Sequence, residues 1–412
     1  MKKPPILPPR IIEHLIPKEA EGTYYTIPFP VPPGLELLSV GYSYENGTVD
    51  LGLMDEQKQF LGWSGSDKPA VFVGPCAATP GYLMTEIAPG EWFIIVGAYK
   101  IPRGGLRVKY EITYTPKSPR WLTGDLHIHS TASDGQHDIP TLINKAQKKN
   151  LDFIAIANHN NYSENLNLPK ASGLTLIPAV EWTHYRGHIN LFGVPAPFEH
   201  FIANSEDEML KLLSGAKERG ALISVNHPKD PGCPYLWKST DCFDMVEVWN
   251  APMRKSNMEA IEWWHNLLKK GKKIPLVGGS DYHRDFHPAM MARPVTRVYA
   301  KSATVADILE ALKSGNSYIV KHRQGVLLDL RCGSNIMGDS MPYRDSLELS
   351  ISAKNMSLGM TVQLVTSEGV ALSLKKEDLP ACVKVLSSWR FAYLVAVQWF
   401  RVAAISNPIY FI

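Results

Sequence analysis

Up to about Tyr114 the apolar positions come in short runs broken by Gly and Pro, at 35–44, 49–54, 92–99 and 106–114. In Val108-Lys109-Tyr110-Glu111-Ile112 apolar and polar residues alternate, the period of a half-buried strand, and no segment here sustains a helical period. The pattern predicts an all-β N-terminal domain over residues 1–118. Thr115-Pro116-Lys117-Ser118-Pro119 reads as a linker, because two prolines in five residues withhold the backbone donors that a continuing strand needs.

From 121 to about 325 the texture changes. Apolar runs at 153–157, 174–179, 189–194, 221–226, 245–249 and 274–278 alternate with amphipathic stretches, the pattern of βα units around a parallel sheet. Asp138 is a cap for a helix through Lys149. Ser205 with Glu208 forms a capping box for a helix ending at Gly220, and Thr304 with Asp307 opens another ending near Gly315. With the strand leading into His127 there are about seven strands, enough for a barrel. After 326 the helical texture disappears, while 347–353 and 360–366 alternate like strands. The prediction is an α/β barrel domain over 119–325 and a small C-terminal β domain over 326–412.

Composition narrows the function classes. Apolar residues at 45% and charged residues at 20% fit a globular chain. A formal net charge of +3 without any block of like charge argues against a long nucleic-acid track, and no apolar stretch of about 18 residues marks a membrane span. Two lysines near the start lead into prolines instead of the apolar run of a signal peptide. Five scattered cysteines without a Cys-x-x-Cys pair favour reduced thiols and a cytoplasmic location over a disulfide framework or a thiolate metal site.

The candidate chemistry lies at the ends of the predicted strands, where side chains of a barrel converge on one face. His127 and His129 end the first strand and share a side, because strands repeat every two residues. His159 ends the second, Glu181 follows the third, His188 begins the fourth, His227 ends the fifth, and Asp281 with His283 follows the last. Imidazoles and carboxylates are the ligand set preferred by zinc, manganese and iron. His-x-His alone is a weak signal; with Asp134, His159, Glu181, His227 and Asp281-x-His283 it becomes a metal centre. His184, three residues after Glu181, competes with His188, which is preferred because it leads an apolar run. His287 is either pocket-lining or surface. Arg254, Arg284, Arg293 and Lys229 lie just beyond strand ends and are suited to clamp a phosphate, and Asn250 is placed to line a pocket. Trp263-Trp264 reads as helix packing.

Together, Asp125-Leu126-His127-Ile128-His129-Ser130, Ser133-Asp134-Gly135, Asn158-His159-Asn160, Glu181, Asn226-His227-Pro228 and Gly279-Ser280-Asp281-Tyr282-His283 resemble the PHP (polymerase and histidinol phosphatase) family. The texture at 50–53, 62–65 and 78–82 with Asn407-Pro408-Ile409-Tyr410 is similar to its CehA/McbA-type branch. The resemblance implies a distorted (β/α)7 barrel flanked by the two β domains, and two or three divalent metal ions (Zn, Mn or Fe). It implies one ion on His127, His129, Glu181 and Asp281, a second on His188 and His227 bridged by Glu181, and a third on Asp134, His159 and His283. The family commonly carries Thr-Asp before its second-motif histidine; Ala157-Asn158 stands there instead, which supplies no charge beside His159.

Three functions follow. The first is a phosphoesterase on a small phosphorylated metabolite, a nucleotide or a short oligonucleotide, either 5′-3′ exonuclease-like or a nucleotide phosphatase. Asp281 belongs to its catalytic set, and His283 or His159 is the proton donor if the third metal is absent. The second keeps the metals and hydrolyses a carboxylic ester, carbamate or amide, as the CehA-like resemblance permits. The third is a metal-binding scaffold without turnover.

Overall fold

A computed structural model of the chain describes residues 7–285 and 288–412. The expectation for His287 lies outside the described residues. Two compact units emerge, one running up to Pro119 with Lys170–Gly173, the other Arg120–Pro169 with Leu174–Ile412.

The first unit holds two four-stranded antiparallel sheets. One has the order Arg10–Ile16, Leu106–Pro116, Leu35–Tyr44, Ala70–Val73, and the other Tyr24–Val31, Gly90–Lys100, Thr48–Met54, Phe60–Trp63. Leu38, Val40, Val108 and Tyr110 from one and Phe29, Leu51, Trp92 and Val96 from the other form a single core, the construction of a sandwich. Tyr24–Val31 escapes a pattern reading because Pro28 and Pro30 look like breaks; its edge position tolerates them. Thr115 and Pro116, expected in the linker, finish the strand that pairs with Leu35–Tyr44.

In the second unit the elements are β1 (Arg120–Ile128), α1 (Ile139–Lys148), β2 (Phe153–His159), β3 (Thr175–His184), β4 (Gly187–Phe192), α2 (Glu206–Glu218), β5 (Leu222–Val225), β6 (Met245–Asn250), α3 (Lys255–Lys269), β7 (Leu276–Gly279), β8 (Val295–Ala300), α4 (Val305–Ser314) and β9 (Ser317–Val320). Three helices begin where caps were expected: Asp138 accepts from Thr141 N, Ser205 and Glu208 form the reciprocal box, and Thr304 accepts from Asp307 N. Gly315 ends α4 in the left-handed conformation, which glycine adopts without penalty. Trp264 is fully buried in the helix-packed core and donates Nε1 to Ile274 O at 2.8 Å.

The sheet runs β7-β6-β5-β4-β3-β2-β1-β8-β9 and continues through Arg401–Ser406, Phe391–Gln398, Met360–Thr366 and Gly369–Leu374. The unit is mixed α/β, but two expectations give way. First, the sheet is not wholly parallel: β4 lies antiparallel to both β3 and β5, since Tyr185 and Arg186 alone connect β3 to β4 and are far too few for a crossover. Second, no ladder closes a barrel among the described residues. β7 returns to β1 only through a parallel bridge of Tyr282 to Ile128, in which His129 N donates to Tyr282 O at 2.9 Å. Nor do residues 326–412 stand apart: they belong to the second unit, because the fully buried β9 takes Arg401–Ser406 as its next partner. Among the described residues no helix is long and apolar enough to cross a membrane.

Candidate metal centre

The functional side chains gather at one end of β1, β2, β3 and β7. His127 and His129 point the same way from the end of β1 and are fully buried. Room for them is made by missing side chains: a Cβ at Gly279 would fall 2.4 Å from His127 Cβ, and one at Gly135 would fall 2.3 Å from His129 O. Asp125 ties this end to the following loops, accepting from Ser280 N at 2.9 Å and Ala292 N at 2.8 Å. Burial pushes its carboxyl up to about 6 despite those bonds.

Glu181 is the hub. Parallel pairing of β2 with β3 sets it beside His159, and the hairpin to β4 brings His188 back to it. Its Oε1 lies 3.1 Å from His188 Nδ1, 3.3 Å from His227 Nε2 and 3.4 Å from His127 Nε2. Asn226 donates to the same oxygen at 2.9 Å. Oε2 lies 2.9 Å from His159 Nδ1 and 3.6 Å from His129 Nε2. Asp281, at a left-handed backbone position (φ 52°), sets Oδ1 3.1 Å from His129 Nε2, 3.5 Å from His127 Nε2 and 3.6 Å from His283 Nδ1. Toward solvent, Asp134 Oδ1 stands 3.3 Å from His283 Nε2 and 3.6 Å from His159 Nε2.

Charge sharing in this buried cluster moves its titrations apart. Burial raises Glu181, but the imidazoles of His127, His159 and His188 outweigh it and hold the carboxyl well below its ordinary range. Burial opposes protonation of His127 too; Glu247, Glu181 and Asp281 win, and its pKa stands well above the usual imidazole value. At His129 burial prevails and brings the ring down to about 4.

The donor set fits divalent cations. His127 Nε2, His129 Nδ1 and Glu181 Oε2 are buried without a hydrogen-bond partner; His159 Nδ1, though close to Oε2, bonds to the Thr183 hydroxyl. Orphaned buried polar atoms are rare and costly, and three within one cluster of imidazoles and carboxylates have their ready explanation in bound cations. Ligand atoms lie within 4.8 Å of one another in four overlapping groups: His127, His129, Asp281; His159, Glu181, His188; His129, Asp134, His159, His283; and His188, His227, Cys233. All nine residues expected as ligands are thus brought together. His184 is not among them, its ring packing 5.5 Å from that of Trp182 and 4.9 Å from that of Trp237.

Beside the cluster opens a cavity of about 460 Å³ lined by Asp134, Asp281, His283, Arg254 and Arg284 among others. Two of the five expected substrate contacts are therefore on its wall and three are not. Asn250 is buried and donates to Glu247 Oε2 at 3.1 Å, supporting that carboxylate instead of facing a substrate. Lys229 extends its ammonium over the Trp263 ring at 5.5 Å, outside the cavity lining, and Arg293 is not on the wall either.

Three supporting groups escaped the sequence reading. Glu247 accepts from His127 Nδ1 at 3.0 Å; a carboxylate inside the apolar run 245–249 was its available signal. Glu164 receives Asn158 Nδ2 at 3.0 Å and the Ser130 hydroxyl, so a carboxylate stands beside Asn158 after all. Cys233 Sγ lies 3.3 Å from His227 Nδ1, and no spacing announced it.

No protein-family model matches the chain, and no curated protein does. Among solved structures, a two-domain protein from Bacteroides vulgatus containing a predicted PHP-like metal-dependent phosphoesterase is similar at 20% identity and a TM-score of 0.42, over 70% of this chain and 95% of that one. A metal-dependent phosphoesterase candidate from Bifidobacterium adolescentis is 16% identical with a TM-score of 0.29, over 41% of this chain and 90% of its own. An amidohydrolase from Chromobacterium violaceum with bound sulfate and no metal is 12% identical with a TM-score of 0.25, over 41% and 93%. At these values the likeness carries no inference about activity.

Proposed function

We propose that the chain is a metal-dependent hydrolase of PHP type that cleaves a phosphate ester of a small molecule, a nucleotide or a short oligonucleotide. The observation that carries this reading is one cavity wall on which Arg254 and Arg284 stand with Asp281 and His283, Asp281 in turn lying against His129 and His127 of the cluster. Guanidinium groups match the geometry and charge of a phosphoryl group better than those of a neutral ester or amide. The near-neutral overall charge of +3 supports a small substrate over a long nucleic-acid track.

His127, His129, Glu181 and Asp281 would hold one ion, His188 and His227 with Glu181 a second, and Asp134, His159 and His283 a third; zinc, manganese and iron suit these donors. When bound, such ions supply Lewis acidity and make a water acidic enough to attack near neutral pH. The chain's own share is binding and proton handling. Arg254 and Arg284 anchor the phosphoryl oxygens at the rim. With the third seat empty, His283, which lines the cavity, offers Nε2 to the leaving oxygen, and His159, also beside Asp134, is the reserve donor.

Metal analysis of the purified chain with parallel assays on p-nitrophenyl phosphate, bis-p-nitrophenyl phosphate and an aryl ester tests the reading. Chelator-sensitive phosphatase activity is expected, with Arg254→Ala raising KM about tenfold at little cost in kcat, the signature of a lost charged hydrogen bond made equally in ground and transition states. Esterase activity without phosphatase activity, abolished in His127→Ala, would sink the phosphoester assignment. Bound metal with no turnover on any substrate would point to a scaffold.

A further inference from the structure

Four histidines of the cluster are each gripped at one ring nitrogen by a second group. His127 Nδ1 meets Glu247 Oε1 at 3.0 Å, His283 Nδ1 meets Asp281 O at 2.9 Å, His159 Nδ1 meets the Thr183 hydroxyl, and His227 Nδ1 meets Cys233 Sγ at 3.3 Å. In each ring the gripped nitrogen leaves Nε2 to face the other donors: that of His127 is unpartnered, that of His283 faces Asp134, and that of His227 faces Glu181 Oε1 at 3.3 Å. Ligating imidazoles are generally oriented in this way by a partner on the far nitrogen.

The loop after β5 is folded so as to deliver the sulfur. Asp230 N donates to His227 O at 2.9 Å, Gly232 N to Asp230 Oδ1 at 2.9 Å, Cys233 N to Asp230 O at 3.3 Å and Tyr235 N to Pro228 O at 3.0 Å. Successive turns therefore bring residue 233 back against the ring from which the loop departs. His227 itself sits at φ 27°, a backbone region that non-glycine residues rarely adopt and hold only where the surroundings enforce it.

Resting on the metal-dependent reading above, we propose that Cys233 is the positioning residue of His227: its sulfur accepts the Nδ1 proton, turns Nε2 toward Glu181, and so sets the affinity of the ion that Glu181, His188 and His227 would share. The sulfur lies against Nδ1 while Nε2 faces Glu181, so it is assigned as the partner of the ring and not as a ligand of that ion, although His188, His227 and Cys233 also offer atoms within 4.8 Å of one another. Cys233 does for His227 what Glu247 does for His127, with a polarizable acceptor in place of a carboxylate.

Cobalt(II) titration of the chelator-stripped full-length chain tests this, comparing wild type with Cys233→Ala and Cys233→Asp. Cys233→Ala is expected to weaken one class of cobalt site by roughly 10–100-fold while the remaining sites keep their affinity, and Cys233→Asp to restore it by supplying an oxygen acceptor. Wild type should show no thiolate-to-cobalt absorption in the near ultraviolet. Equal melting temperatures of stripped wild type and stripped Cys233→Ala establish that the alanine variant folds. Unchanged affinity in folded Cys233→Ala, or a thiolate band that this variant loses, overturns the positioning role while leaving the metal-dependent reading intact. Absence of any cobalt binding by wild type overturns both.

Discussion

The inner and outer halves of the donor cluster are built differently. His127, His129 and Glu181 have side chains almost wholly buried, whereas Asp134 is 58% exposed, His159 25% and His283 19%. Inner donors come from the strands or the residue just past a strand, and His127 is further held by the buried Glu247. Outer donors come from strand ends and loops that solvent reaches. The inner half is therefore held in place at the expense of unpaired buried atoms, whereas the outer half is open to solvent.

This contrast can be broken most severely at the hub. Glu181→Ala removes the carboxylate that holds His127, His159, His188 and His227 together. Loss of both inner ions and of turnover is expected in elemental analysis and phosphatase assay, with a fall of about 3–5 kcal/mol in the stability of the chelated chain, as for a buried charge that loses its partner. Denaturant titration in chelator checks that last figure. Glu247→Gln keeps the shape but removes the charge behind His127, and should weaken the inner ion by roughly 10–100-fold without unfolding the chain; competition with a chromogenic chelator measures it. The smallest effect is expected at the surface. Asp134→Asn should release only the outermost ion, leaving inner metal content unchanged, and an equal loss from inner and outer seats would erase the distinction drawn between the two halves.

Much of this cluster was readable from the chain because its residues punctuate apolar runs. A strand announces itself by its buried side chains, and the polar residue at its end is then conspicuous, as with His159 after 153–157 or Asp281 after 274–278. What cannot be read this way is strand direction. An apolar run has no polarity of its own, so the pattern at 189–194 suits a parallel strand as well as the antiparallel β4 that the two-residue connection imposes. Likewise Glu247 was legible as a strand residue but not as a partner of His127, which is 120 residues distant in the chain. Cys233 depends on a loop whose shape comes from main-chain hydrogen bonds, and Lys229 is taken off the cavity by the face of Trp263. Asn250 was assigned to the pocket from its place at a strand end, whereas its amide turns back to Glu247. The open sheet and the absorption of residues 326–412 depend on edge pairing between distant segments, which no local pattern encodes.

The tight turn at Tyr185 and Arg186 also bears on the order in which the cluster assembles. Glu181 and His188 are seven residues apart and meet across that turn, whereas His129 and Asp281 are 152 residues apart. By the logarithmic growth of loop-closure entropy, joining the second pair from an open chain costs about 3 kcal/mol more than joining the first. A single hairpin thus brings together two of the residues proposed to hold an ion at a far smaller entropic cost than the contact with Asp281.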